Sequence, residues 1–398
     1  MTVWILEPRD PIIFRDGRPF GDPGARAASL SFPFPSTIAG GVRTRAGLDA
    51  QGHFQTAKIN EVKQIVIKGP FLVELDEQGN IQNWLTPAPI DLVILNNDSN
   101  NKTKIDETRG NIKKLVPINM PEDSFTDLQT NLSLVGMTKA DPSKTHKFAP
   151  RFWYWKKLEE WLNNAQDKLD VNLSDLGHKG PSLDIRTHVS ILNESQTARE
   201  GALFQTQGLE FTYQKQADKK LANLTRLALA VQTDANLREG VAMLGGERRI
   251  VNWHKNNDSI PFAKCPDQIK KQILCTKACR VLLLTPGHFK NICQPEYLIT
   301  PHKTLTAQIK AIRVERPQVI SGWDFETNKP KATRRLAPAG TVFFLKFDEK
   351  MTDEKELETW IDKIWLTAIS DDEQSRLDSF GLAVLGTWSG ENEIMEVK

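Results

Sequence analysis

The chain has 398 residues, 39% hydrophobic and 26% charged, the make-up of an ordinary soluble globular protein with room for two domains and an ample core. Its formal net charge of +2 means that any surface for nucleic acid is a local basic face, not a uniformly basic chain. No apolar run reaches the ~18 residues of a membrane-spanning helix and the N-terminus lacks a signal pattern, so a cytoplasmic protein with no membrane partner is expected.

The chain opens on the apolar run Val3-Trp4-Ile5-Leu6, expected as a strand. Turn signals at residues 8–11 and 16–19 bracket Ile12, Ile13 and Phe14. After a Gly/Ala/Pro loop, the prolines of Phe32-Pro33-Phe34-Pro35 force an extended backbone. Ser36 or Thr37 is then placed to cap a short helix with Ile38, Ala39, Val42 and Ala46 on its apolar side, stopped by Gly47. Six arginines, Arg9, Arg15, Arg18, Arg26, Arg43 and Arg45, decorate this unit against the acids Glu7, Asp10, Asp16 and Asp22. A helix N-terminus ringed by arginines suits phosphate; a capped helix with solvated arginines is the plainer alternative.

Residues 61–75 read as two strands broken at Gly69-Pro70, and 85–95 as a strand whose prolines suit a sheet edge. The polar stretch 96–108 reads as a loop and 111–136 as irregular, so 86–147 form an excursion from a compact domain. Trp155, Leu158, Leu162, Ala165 and Leu169 share one face of a helix over 152–169. The aromatic burst Phe152-Trp153-Tyr154-Trp155 suits core packing more than base stacking. Residues 187–191 alternate like a strand, 225–231 form another, and 234–244 a short helix leading into the basic turn Gly245-Gly246-Glu247-Arg248-Arg249. Strands at 250–253, 280–284, 311–323 (interrupted at Pro317) and 341–347 alternate with helices at 267–274 and 354–368, before the Gly-flanked apolar run 379–388. Strands mixed with a few helices, without steady βαβ repetition, predict an α+β fold. Tandem ferredoxin-like (RRM-like) domains with inserted loops account for the length: 1–215, with the insertion at about 86–147, and 216–398.

The four cysteines, Cys265, Cys275, Cys279 and Cys293, are spaced C-x9-C-x3-C-x13-C, which lacks the C-x2-C knuckles of a zinc site. Reduced structural thiols are therefore expected, with no metal and no cofactor. No Walker loop, HExxH or GxSxG occurs. In the turn at 245–249, glycines let backbone amides approach an oxyanion while arginines supply charge; a tight turn facing water is the alternative. Residues 303–335 carry eight bases, including Lys303, Arg316, Arg334 and Arg335, against Glu315, Asp324 and Glu326, a local balance of +5. Such a row neutralises phosphates, and Trp323 and Phe325 are placed to stack an unpaired base.

Several separated segments share one resemblance. Glu7-Pro8 with Asp10-Pro11, Phe14-Arg15-Asp16-Gly17-Arg18-Pro19-Phe20 and Phe34-Pro35-Ser36-Thr37-Ile38-Ala39-Gly40 resemble the N-terminal signature of the RAMP protein that grips the five-prime handle of guide RNA in type III-B (Cmr) CRISPR effector complexes. His188-Val189, Thr197-Ala198-Arg199-Glu200-Gly201 and Leu203-Phe204 resemble a second site of that family, and Gly245-Gly246-Glu247-Arg248 a third. Val319-Ile320-Ser321-Gly322-Trp323 and 335–344 resemble its C-terminal half, and Phe380-Gly381-Leu382-Ala383-Val384-Leu385-Gly386 the group's Gly-rich loop with fewer glycines.

The resemblance implies a non-catalytic RNA-binding subunit with two ferredoxin-like domains, holding the crRNA handle in a basic cleft and docking the large polymerase-like subunit and the adjacent backbone RAMP subunit, in antiviral defence. The residues expected at the RNA are Arg15, Arg18, Ser36, Thr37, Arg43, Arg45, His188, Arg199, Gly245, Gly246, Arg248, Arg249, Arg316, Arg334 and Arg335. The 86–147 excursion is expected as a thumb bending the RNA where handle meets spacer. One rival is a metal-independent endoribonuclease that processes precursor crRNA with His188 as its base. Another is a protein-only scaffold whose arginines face solvent.

Overall fold

The computed structural model describes residues 1–15, 29–97, 106–120, 124–128, 131–214, 224–300, 305–324, 328–348 and 352–396. Arg18, Arg26, Lys303, Phe325 and most of the polar loop at 96–108 lie outside the described residues, as does the side chain of Trp323.

The opening run Val3-Trp4-Ile5-Leu6 is apolar at consecutive positions because both faces of its strand are covered. This strand, β1 (Thr2–Pro8), lies inside an antiparallel sheet. Helix α1 (Pro35–Ala46) starts earlier than expected. Pro35 sits at the first helical position and extended Phe34 is the N-cap without a side-chain bond, so neither Ser36 nor Thr37 caps the helix. Strand β2 (Ile67–Leu75) runs unbroken through Gly69-Pro70, and the break falls upstream, where Ile59–Lys63 is a helical turn. Strand β3 (Ile81–Pro87) follows.

The excursion is built, not irregular. Leu92–Asn96, Arg109–Lys114 and Lys168–Asn172 make a three-stranded sheet, and Val116–Asn119 pairs with Leu134–Gly136 and with Glu393–Ile394 from the far end of the chain. These strands are short and take partners distant in sequence, so no local periodicity announces them. Helix α2 (Trp155–Asn163) is shorter than expected. Trp155, Leu158, Trp161 and Leu162 complete its buried face; Phe152–Tyr154 is a strand of the main sheet, and Leu169, 73% exposed, lies on Lys168–Asn172.

Ser182–Ile191 and Ala198–Glu210 pair with each other in a long hairpin, on which Leu183, Ile185, Val189, Leu203 and Phe204 are exposed. Next come β4 (Leu224–Thr233), β5 (Gly240–Met243) and β6 (Ile250–Asn256). The expected helix at 234–244 is replaced by β5, where exposed Val241 and Met243 alternate with half-buried Gly240 and Ala242. The first sheet has the central order β2-β4-β1-β6-β5, continued beyond β2 by β3, Phe152–Tyr154 and Gly177–His178. Thr212–Gln214 pairs with β4, so pairing crosses the expected division at 215/216, and the first sheet extends to residue 256.

The rest of the chain gives α3 (Asp267–Thr276), β7 (Ala278–Leu283), β8 (Ala307–Arg313), β9 (Val342–Phe347), α4 (Glu354–Ile364), α5 (Glu373–Leu377) and β10 (Leu382–Thr387). The expected strand at 311–323 divides: β8 starts earlier, while Gln318–Ile320 pairs with Arg334–Ala337 in a separate small sheet. The second sheet has the order β8-β9-β7-β10, continued beyond β10 by Thr367–Ala368, antiparallel throughout. Counting only β1, β2, β4 and β6 of the first sheet and β7 to β10 of the second, each set of four lies in the order second, third, first, fourth.

Two cores follow from the faces of the first sheet. Val3, Ile5, Phe71 and Val73 join α2, α3, α4 and the second sheet in one buried cluster. At its centre Phe262 stacks on Trp155 at 4.0 Å and meets Trp84 and Phe71 edge-on. On the other face Trp4, Leu6, Leu229, Val251 and Trp253 bury Ile38, Ala39 and Val42 of α1. A side chain at Gly41 would meet Leu244 at 2.8 Å, so glycine lets the helix approach this closely.

Candidate nucleic-acid interface

Two of the segments that resemble one family, the opening unit and the glycine turn, meet in space, and the base of the hairpin that carries a further one joins them. Ile12 exchanges backbone hydrogen bonds with Leu209 at the base of the hairpin (3.0 and 2.7 Å), and the Gly246 N–H donates to Ile13 O at 2.7 Å. The Ser29 hydroxyl donates to Gln207 O, and Arg15 pairs in backbone with Ser29. The opening unit, the 199–210 strand and the glycine turn therefore share one ledge.

The turn has an unusual backbone. Gly245 (φ 75°), Glu247 (φ 57°) and Arg248 (φ 53°) are left-handed, and a Cβ at Gly245 would come within 2.7 Å of Ile13 O. Two non-glycine residues held this way mark a turn over-determined by its surroundings. Glu247 organises the basic side chains: Arg15 pairs with it at 2.7 Å and Arg249 at 3.3 Å. Arg248 is exposed and makes no side-chain hydrogen bond or ion pair among the described residues.

Other expected site residues turn inward. The Arg43 guanidinium donates to Val62 O at 3.0 Å and forms a largely buried ion pair with Asp378, the residue that ends α5, clamping the two halves together. Arg45, 9% exposed, donates to Glu239 O at 2.7 Å and Gly240 O at 3.2 Å; burial, then repulsion from Arg238, lowers its pKa. Arg334 donates to the Ser375 hydroxyl at 2.8 Å and lies 5.0 Å over Phe380. Ser36 and Thr37 are half-buried in the first turn of α1.

Arg199, Arg316 and Arg335 are exposed. His188 is exposed on the hairpin, with Nε2 2.9 Å from the Thr206 hydroxyl and its ring stacked 5.3 Å from Phe204. The small sheet reaches the opening unit: Ile320, Leu336 and Phe380 bury Phe34. The expected Gly-rich loop is largely consumed by the fold, since Phe380 is fully buried and Leu382–Thr387 is strand β10.

The sequence reading missed Arg151. It donates to the Ser31 hydroxyl at 2.8 Å on the wall of a cleft of about 380 Å³ lined by Phe32, Pro33, Phe152 and Gln318, and desolvation there lowers its pKa. The signal was the pairing of two proline-broken aromatic stretches, Phe32-Pro33-Phe34-Pro35 and Pro150-Arg151-Phe152. Cys265 and Cys279 are buried core thiols, Cys275 is exposed, and no group of three potential metal ligands occurs among the described residues. No helix among them is long and apolar enough to cross a membrane.

The family described as CRISPR-associated protein (Cas_Cmr3) matches residues 4–388. A search of curated proteins found no match. Among solved structures, a chain of a cryo-EM structure of the Type III-B Cmr-beta bound to cognate target RNA is 15% identical, with 86% of each chain covered and a TM-score of 0.45. A chain of the same complex with target RNA and AMPPnP is 16% identical, covering 91% of this chain and 88% of that one at a TM-score of 0.43. A chain of a type III-A Csm3-Csm4 subcomplex is 11% identical, covering 86% and 92% at a TM-score of 0.38. With a family match running through nearly the whole sequence, the chain belongs to the Cas_Cmr3 family and is a RAMP-type Cmr subunit.

Proposed function

We propose that this chain is the subunit of a type III-B effector complex that holds the five-prime handle of crRNA without cutting it. The observation that carries the reading is the ledge where Ile12, Ile13, Leu209 and Gly246 are hydrogen-bonded together, with exposed Arg248 on the turn and the hairpin rising from its edge. Backbone and arginine donors suit phosphates, and the hairpin, rather than the 86–147 excursion, is the projecting element suited to act as a thumb. The shared strand order of the two sheets supports a reading of each as a ferredoxin-like unit, the first interrupted by residues 76–223. Docking to the large polymerase-like subunit and to an adjacent RAMP subunit belongs to the same proposal.

The absence of cleavage is likewise proposed. On the hairpin, His188 has a hydroxyl and an aromatic ring beside it, not an acid that would orient it as a base. One arrangement favours the rival ribonuclease: His288 Nδ1 lies 2.7 Å from Asp372, an orientation a general base uses. Titrating the protein against end-labelled crRNA with and without its handle, in EDTA and then in magnesium, separates the readings. Handle-dependent binding of intact RNA is expected; a discrete cut lost in His188→Ala or His288→Ala establishes the ribonuclease.

A further inference from the structure

Among the described residues strand β5 is one free edge of the first sheet, and its exposed side is apolar. Val241 is 54% exposed, Met243 62%, and Ile250, the cross-strand partner of Met243, 39%. Arg9 N–H donates to Ile250 O at 3.0 Å, so residue 250 turns its backbone polar groups toward the β1 side. In an antiparallel pair the pattern alternates, so Met243, opposite Ile250, and Val241, opposite Asn252, direct their N–H and C=O groups away from the sheet. Among the described residues no backbone hydrogen bond reaches Val241 or Met243 from that side. A short edge carrying valine and methionine, without a lysine, proline or bulge to blunt it, is a template for another strand.

The charges beside this edge identify the occupant. Arg238, just before β5, donates to the neutral carbonyl of Asp49, and exposed Arg248 follows it in the turn. Glu247 pairs with Arg15 and Arg249, and Glu239 accepts from the backbone N–H of Lys255, so beside the edge four arginines stand against these two carboxylates. A second copy would bring the same cations against themselves. An RNA backbone would lay its phosphates against exposed Val241 and Met243, whose side chains offer neither charge nor hydrogen bond, whereas apolar side chains cover them. We propose that β5 docks an extended segment of a protein partner, antiparallel or parallel, with apolar side chains two residues apart and acidic residues at its ends. This surface goes beyond the RNA reading, and a failure to bind handle RNA leaves it unaffected.

The test uses the full chain and a blocked synthetic peptide alternating valine and threonine between paired glutamates. Saturating peptide is expected to slow amide hydrogen exchange at Val241 and Met243. Methylating the peptide's backbone nitrogens, or the double substitution Val241→Ser with Met243→Ser, is expected to weaken binding at least tenfold, and lysine ends in place of glutamate also weaken it. The serine variant keeps every backbone group and is expected to bind handle RNA as the parent does. Unchanged exchange at both amides, or equal binding of the methylated peptide, overturns the proposal. Protection of the same amides by self-association, or by handle RNA in place of peptide, overturns it by assigning the edge to another occupant.

Discussion

Arginines expected at one site do opposite work here, and burial sorts them. Arg43 and Arg45 are spent on carbonyls and Asp378, so Arg43→Ala is expected to cost about 2–3 kcal/mol of stability, read from denaturant unfolding, because it leaves Asp378 and a backbone carbonyl short of a donor. Arg248→Ala, on an exposed turn, is expected to change stability by under about 0.5 kcal/mol while weakening RNA binding and lowering the salt slope by about 0.7 for each phosphate no longer neutralised. A measurement in which Arg43→Ala spares stability and Arg248→Ala does not would reverse this assignment. The same logic applies to the thiols. Burial pushes Cys265 up to about 12 and raises Cys279 as well, whereas an unfolded thiol ionises near ~8.5. Both folded values are raised, so their contribution to stability is fully present below ~8.5 and is lost as pH rises from there toward about 12. The thermal midpoint should fall across that window, and less steeply in Cys265→Ala.

At the scale of elements, what carries its own apolar pattern was legible in the sequence and what is defined by a distant partner was not. β1, β4, β9 and α4 follow from runs and periodicities contained within them. The excursion's strands, by contrast, depend on Lys168–Asn172 and Glu393–Ile394, residues that no local window connects. The site behaves the same way: its motifs were readable one by one, but their meeting through Ile12, Ile13, Leu209 and Gly246 is a property of the first sheet. The inward turn of Arg43 and Arg45 was hidden because their partners lie at Asp378 and at 238–240. The C-terminal tail makes a direct prediction. Glu393 bonds Lys114, Asn392 bonds Asn119 and Ser133, and Glu396 N–H donates to Thr138 O at 2.7 Å. Removing residues 390–398 is expected to speed amide exchange across Val116–Asn119 and Leu134–Gly136 while leaving the first sheet protected. Equal protection in the shortened chain would mean that the tail merely lies on the surface.

Across the whole molecule, the excursion is bound to the second sheet by one buried ion pair. Arg280 on β7 is 4% exposed; it pairs with Asp91, donates to Thr387 O at 2.9 Å and reaches Trp161 O at 2.7 Å. Asp91 in turn accepts from the Trp161 indole at 2.8 Å, so one carboxylate and one guanidinium tie together the excursion, α2, β7 and β10. Two charges withdrawn from water gain little net stability from each other, yet removing one strands the other. Asp91→Asn and Arg280→Met are each expected to lower stability by about 3–5 kcal/mol. The double variant should cost less than the two losses added, because neither charge is then left alone, with a coupling of about 1–3 kcal/mol. Full recovery is not expected, since the Trp161 and Thr387 carbonyls lose their donor in any variant without the guanidinium. Simple additivity in equilibrium unfolding of all four proteins would show that the pair does not act as a unit, and that other contacts hold the excursion to the body, among them the Ser133 N–H on Lys310 O at 2.8 Å and the Ile90 N–H on Gly340 O at 3.2 Å.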